Sequence, residues 1–175
     1  MSYIHFRLDP GNGGAIASVM AYDSDPGIAT DSENVVIEYD YDPSSEFISS
    51  LTLSEDKTSV INKYPGQTVD EQKASFDADQ KTKQIACEKN RLRQRIKSLV
   101  VDLIEPLEND EKKAKEVDAT NGNTNKQREI AVYRKAVRDA NNAHEQLLDA
   151  TTDYDEVINF DADWRKTFTE TRPSI

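Results

Sequence analysis

The spacing of apolar positions changes character near residue 67. Before it the period is two; after it the steps are three and four. From Tyr3 to Leu8 the chain alternates, with Ile4, Phe6 and Leu8 on one face and Tyr3, His5 and Arg7 on the other, which predicts a strand. Asp9-Pro10-Gly11-Asn12-Gly13-Gly14 follows. Proline fixes one backbone angle and the glycines accept positive φ, so this is a turn. Ala15 to Tyr22 is its return strand, and the pair reads as a hairpin with a longer loop. A polar loop over 23–34 carries Asp25-Pro26-Gly27. Val35 to Tyr41 is the clearest strand, with Val35, Ile37, Tyr39 and Tyr41 on one face and Glu38, Asp40 and Asp42 on the other. Asp42-Pro43-Ser44-Ser45 stops it. Leu51–Leu53 and Ser59–Lys63 flank Glu55-Asp56-Lys57 as a second hairpin, and Tyr64-Pro65-Gly66 closes the region. Residues 1–66 therefore predict a small antiparallel β-domain whose single apolar face needs a cover.

Residues 67–150 predict a long antiparallel helical hairpin of coiled-coil type. Thr68 and Glu71 have the spacing of a capping box. The helix they open runs to about Ile104, with Ile85, Leu92, Ile96, Leu99 and Leu103 as its apolar line, widened by Val100 and Ile104. Pro106 lacks the amide that a helix interior needs, and it pushes Glu105 out of helical geometry. Leu107 to Val117 is a further helical piece. Asn121-Gly122-Asn123 is a turn, and Thr124 with Gln127 forms a second capping box. The next helix carries Ile130, Tyr133, Val137, Ala140, His144 and Leu147 at steps of three and four. That line matches the earlier seam, so this helix is expected to dock on residues 85–104 or on copies of itself. In 151–175 a fresh helix starts after Thr151-Thr152-Asp153. Phe160, Trp164 and Phe168 recur every four residues, as on one helix face, before a tail. The fold class is α+β.

Composition adjusts this picture. Of 175 residues, 36% are hydrophobic and 31% charged, which is a thin supply for a core. Such a chain is expected to be elongated or a homo-oligomer and to complete its core with a partner. The net charge of −11 repels phosphate backbones and anionic membranes. Lys81, Lys83, Lys89, Arg91, Arg93, Arg95 and Lys97 reverse the sign locally against Glu88. A basic helix of this kind serves a nucleic-acid or other acidic partner, or is a solvated face. No aromatic platform accompanies it, so nucleic-acid binding takes second place. Cys87 is the single cysteine and excludes an intrachain disulfide. No apolar run approaches the roughly 20 residues of a membrane span. No signal segment opens the chain, and a soluble protein made in a cytoplasm is expected.

Candidate chemistry is sparse. His5 falls in a strand and His144 in the seam, each without a second ligand nearby. Cys87 has basic neighbours but no base beside it, and burial is expected. Glu38, Asp40 and Asp42 project in a row rather than converging; they read as an acidic edge that discourages strand pairing. Asp23-Ser24-Asp25-Pro26-Gly27 begins like a calcium loop and lacks its later ligands. No phosphate loop or nucleophile elbow occurs. The expectation is a protein that is not an enzyme and uses no cofactor or metal. The Trp164 group is either core or an anchor for a partner.

Several short stretches resemble small tail-associated proteins of tailed bacteriophages. They are Tyr3-Ile4-His5-Phe6 with Ala17-Ser18-Val19, Val36-Ile37-Glu38-Tyr39-Asp40, and Asn62-Lys63-Tyr64-Pro65-Gly66. Val132-Tyr133-Arg134-Lys135-Ala136-Val137-Arg138-Asp139 is similar to a signature of phage tail fibre assembly proteins and tail assembly chaperones, and Asp163-Trp164 to their C-terminal aromatic group. Val137 stands where the family has leucine, and no proline follows Trp164. The resemblance implies a non-catalytic protein, in the virion tail or in the host cytoplasm during assembly, that binds tail fibre or baseplate proteins. The contact residues it suggests are Tyr133, Arg134, Val137, Arg138 and Trp164, with a partner burying the unsatisfied seam and the aromatic tail.

Overall fold

A computed structural model describes residues 1–174 and has the α+β class. The expected tail ends at Ile175, which lies outside the described residues. The chain forms two compact units, Met1–Gln80 and a second beginning at Lys81, and the boundary falls inside one helix.

In the first unit, β1 (Ser2–Asp9) lies between β2 (Ala15–Tyr22) and β3 (Asn34–Tyr39), both antiparallel to it. Asp9 accepts the Gly11 amide at 3.0 Å, and Gly13 and Gly14 take the positive φ that the turn requires. A register shift between Arg7 and Leu8 brings Leu8 opposite Ile16. The extra residue is Ala17 on β2, so Ile16 as well as Val19 packs on the face of Ile4, Phe6 and Leu8, which are all buried with Val35 beside them. The cover that this face needs comes from the same unit. Leu51 is buried against it, and Ile48, Leu53 and Val60 pack around it. These belong to a 3-10 turn, Ile48–Ser50, and to a two-stranded sheet of β4 (Leu51–Leu53) and β5 (Val60–Asn62). β3 ends at Tyr39 rather than Tyr41, yet both rings join the core. Their hydroxyls hold the following loop, Tyr39 on the Glu46 carboxylate at 2.5 Å and Tyr41 on the Glu46 carbonyl at 3.2 Å.

Helix α1 (Val69–Ile104) opens on the expected box: Glu71 accepts the Thr68 amide at 2.8 Å and returns its own amide to Thr68 Oγ1 at 3.4 Å. One turn later, Gln72 is buried with every polar valence used. Its Oε1 accepts from the Phe47 amide, Ser50 Oγ and Asn62 Nδ2 at 3.0, 3.0 and 3.1 Å. Its Nε2 donates to the Ser45 and Gln67 carbonyls at 2.8 and 2.9 Å. Phe76 meets Phe47 edge to face one turn on.

In the second unit, α1 ends before Pro106, and α2 (Leu107–Asn121) follows at once. Gly122 closes α2 at φ 67°, and α3 (Asn125–Ala150) returns antiparallel. Arg134 pairs with Glu111 at 2.5 Å near the closed end, and Arg93 with Asp149 at 2.6 Å near the open end. The expected docking of α3 on residues 85–104 therefore holds only for its far end. Its first half lies along α2, because α2 adds four turns to the hairpin before the chain reverses. The second capping box is also corrected. Thr124 makes no capping bond. Asp118, buried in α2, accepts the Lys126 and Gln127 amides at 3.0 and 2.9 Å instead.

The C-terminal segment departs furthest from expectation. Phe160, Trp164 and Phe168 do not share a helix. α4 (Tyr154–Ile158) is a single short helix capped by Asp153, the chain then extends, and a 3-10 turn covers Trp164–Lys166. Trp164 is 2% exposed and donates its indole N–H to the Ile96 carbonyl at 3.4 Å. It joins Leu92, Ile96, Leu99, Ile130, Tyr133 and Val137 in one core. The sparse seam is thus filled from within the chain, and the expectation that a partner must bury it is overturned. Helices of this composition leave a groove between them, and the returning segment supplies the large aromatic volume that the aliphatic line lacks. Leu147 is corrected as well: it is 60% exposed, and Leu148 is buried in its place. A straight helix drifts by about 20° per heptad relative to a strict 3.5-residue repeat, which carries the buried face from 147 to 148.

Candidate interaction surface

Helix α3 carries the stretch that the phage resemblance singles out, and its geometry divides those residues. Tyr133 is buried against Phe168, with ring centroids 5.8 Å apart and planes at 67°. Phe168 meets Trp164 at 5.5 Å and 87°. These are edge-to-face contacts, the arrangement that ring quadrupoles favour. Val137 has no exposed surface. Tyr133, Val137 and Trp164 are therefore brought together, but as core. Arg134 is half-buried and held by Glu111, with its Nε buried and without a partner among the described residues. Arg138 alone of the five is exposed and free of an ion pair or hydrogen bond among the described residues.

The solvent side of α3 carries Val132, which lies off the three-and-four line, and Leu147, which that line placed in the seam. Val132 and Leu147 are each 60% exposed. Arg128, Glu129, Val132 and Tyr133 line an open groove of about 570 Å³ together with Glu170 and Pro173. Arg172 fixes the C-terminal segment beside α2, through Asp110 at 2.5 Å and the Pro106 carbonyl at 3.2 Å. At 100° per residue, Arg128, Val132 and Leu147 occupy one flank of α3, and Arg138 lies about a third of a turn from Val132 on the other. The only sequence signal for this flank was the Leu147-Leu148 doublet, of which one member must face out.

Four of the seven cations of the basic stretch 81–97 are engaged within their own unit. Lys81 sits over the Tyr154 ring at 5.6 Å, and Lys89 donates to the Asp149 carbonyl at 3.0 Å. Arg91 pairs with Glu88, and Arg93 with Asp149 and Asn90. Lys83, Arg95 and Lys97 remain without such partners among the described residues.

Other candidates have structural roles. His144 Nε2 lies 2.6 Å from the Asp161 carbonyl, and its ring meets Phe160 at 5.0 Å. His5 is buried on the outer sheet face, with Nε2 3.0 Å from Asn34 Oδ1. Cys87, expected to be buried, is exposed. Asp25 accepts the Gly27 amide at 2.8 Å, so the calcium-like stretch is a side-chain-capped turn. Asp42 likewise collects the Ser44 amide and hydroxyl, at 2.9 and 2.7 Å, and these bonds lower its carboxyl pKa. For Asp118, burial pushes the carboxyl up, but the Gln127 and Lys126 amides outweigh it and hold the group below its ordinary value. Asp163 is held down to about 2, chiefly by the Arg165 guanidinium. Among the described residues no cluster of three or more His, Cys, Asp or Glu is placed to hold a metal ion, and no helix is long and apolar enough to cross a membrane.

No protein-family model, curated protein sequence or solved structure matches this chain.

Proposed function

We propose that the chain is a non-catalytic accessory subunit of a phage tail that binds a fibre or baseplate chain during assembly. The reading rests on the stretch 132–139 and the Asp163-Trp164 group, which resemble tail assembly proteins. The observation that carries it is the division of labour on α3. Most of one face is buried by the chain itself, while Val132 and Leu147 stay 60% exposed on the adjoining flank and Arg128 is unpaired there among the described residues. In this reading Tyr133, Val137 and Trp164 hold the helix in place rather than touch the partner. Arg128, Val132 and Leu147 meet it, through an apolar ridge of the fibre or baseplate protein that carries a carboxylate for Arg128. Arg138 steers the approach from the other flank.

The test is mass spectrometry of purified virions, together with affinity capture of tail proteins from infected cells by the tagged chain. Fibre or baseplate peptides are expected with the native chain, and their loss is expected with Val132→Asp and Leu147→Asp combined, at unchanged circular dichroism. Capture that is empty of tail proteins, with virions that lack the chain, rejects the reading.

A further inference from the structure

The two edges of the three-stranded sheet are built differently. On β3 the edge is closed by the chain itself. Asp31 takes the Asn34 amide at 2.8 Å on its carboxylate and donates its own amide to the Asn34 carbonyl at 2.8 Å. Thr30 Oγ1 accepts the Val36 amide at 3.3 Å. Glu38 and Asp40 then add charge at its end, which discourages further pairing.

β2 has none of these guards. It reads Ala-Ile-Ala-Ser-Val-Met-Ala-Tyr, eight residues without a charge or a proline. The Leu8 amide donates to Glu33 on the β3 side at 2.7 Å. Strand alternation then aims the backbone of Ile4 and Phe6 toward β3, and that of Tyr3, His5 and Arg7 toward β2. Their partners Tyr22, Met20 and Ser18 point back at β1. Val19 and Ala21 are left with amides and carbonyls facing outward, and among the described residues nothing bonds to them. Between them stands Met20, 40% exposed on the outer face.

We propose that β2 pairs antiparallel with β2 of a second copy of this chain, about a two-fold axis at Met20. In that register Val19 faces Ala21 of the second copy and Ala21 faces Val19 of the second copy. Each is a pair that exchanges both backbone bonds, so four unpaired groups on each side are satisfied. The two Met20 side chains meet in the close, non-bonded position, and Ser18 faces Tyr22 of the second copy. The strand suits a second copy for two reasons. Copies carrying −11 each repel over most of their surface, and β2 is an uncharged length of edge. The closed β3 edge prevents a β2-to-β3 contact, so pairing stops at a six-stranded dimer instead of growing into a filament. This inference does not depend on the tail assignment.

Sedimentation equilibrium of the full chain from micromolar to millimolar concentration tests it. A reversible dimer is expected. Ala21→Pro removes an outward amide at a position where an edge strand tolerates proline. By symmetry it deletes two bonds, so the dimer should weaken about tenfold or more. Met20→Lys, at an exposed side chain, should do the same by placing two cations in contact, and it keeps the test available if the proline variant misfolds. Residue-resolved hydrogen exchange supplies the second reading. Protection of the Val19 and Ala21 amides should rise with concentration, while Met20 and Tyr22 stay protected throughout. A chain that remains monomeric at millimolar concentration overturns the proposal. So does a dimer that tightly folded Ala21→Pro or Met20→Lys leaves equally strong, since another surface must then hold it.

Discussion

The two units reach stability by opposite means. The first has a small apolar sheet face and adds a polar clamp: Gln72, from the helix, bonds the backbone and side chains of the loops around it. The second has a longer apolar line and adds a wedge, in which Trp164 and Phe168 come back from a distant segment to fill a gap between helices. Both solve the problem of a chain poor in hydrophobic residues. A clamp is directional and fails when one bond partner is lost. A wedge is a matter of volume and fails when it is truncated.

The largest expected effect breaks the wedge. Trp164→Ala should destabilise the second unit by about 3–5 kcal/mol. Hydrogen exchange should accelerate in α3 and in the Leu92–Leu99 segment while the first unit's sheet keeps its protection. If both units loosen equally, the division into two ledgers of interactions is wrong.

Next is the clamp. Gln72→Ala leaves the Phe47 amide and its neighbours buried without an acceptor, at a cost of about 1–3 kcal/mol. Protection should fall around residues 45–50 and 62–67, and chemical denaturation should register the loss in the first unit alone.

Titration should separate the units in alkali and bring them closer in acid. Tyr39 is pushed up to about 12, first by burial and then by Glu46, and Tyr64 likewise to about 12, by burial and then by Asp79. Both belong to the first unit. A raised folded pKa gives stability that is complete below the unfolded value near 10 and is lost as pH rises toward 12. The first unit should therefore open first in alkali, as read by tyrosinate absorbance against exchange. In the second unit the depressed carboxyls of Asp118 and Asp163 act at the other end. Their contribution is present above the unfolded value of 3.8 and is lost as pH falls toward about 2. Asp42 and Glu71 are depressed as well, so the first unit also weakens in acid, and only its alkaline limit sets it apart.

The smallest effect concerns a turn. Lys57 holds φ 59° in the β4–β5 hairpin. Lys57→Gly should relieve that strain and raise the first unit's midpoint slightly, by under about 1 kcal/mol. An unchanged or lowered midpoint would mean that the αL position costs little here.

Much of the fold was legible because it depends on neighbours in sequence. Alternation at Ile4, Phe6 and Leu8 marked a strand, the glycines after Pro10 marked its turn, and Pro106 and Gly122 marked helix ends. The candidate surface was less legible. Tyr133 and Val137 stood out because they are apolar and periodic, and those are the properties that placed them in the core. Val132 faces solvent, broke the pattern and so was passed over, whereas Leu147 fitted the three-and-four spacing and was placed in the seam although it faces solvent. Asp118 and Gln72 look like ordinary surface residues in sequence, because their partners lie 5 to 27 positions away.

The sequence by itself determined the α+β class, the order of strands and long helices up to residue 150, the helix break at Pro106 and the reversal at Asn121-Gly122. Those follow from periodicity and backbone stereochemistry, which act within a few residues. Only the tertiary structure decided that the helical seam is satisfied inside the chain, that Asp118 rather than Thr124 caps α3, and that one sheet edge is sealed while the other is open. Each depends on which distant segment arrives at a given place, and close packing and hydrogen-bond geometry select that segment across space rather than along the chain.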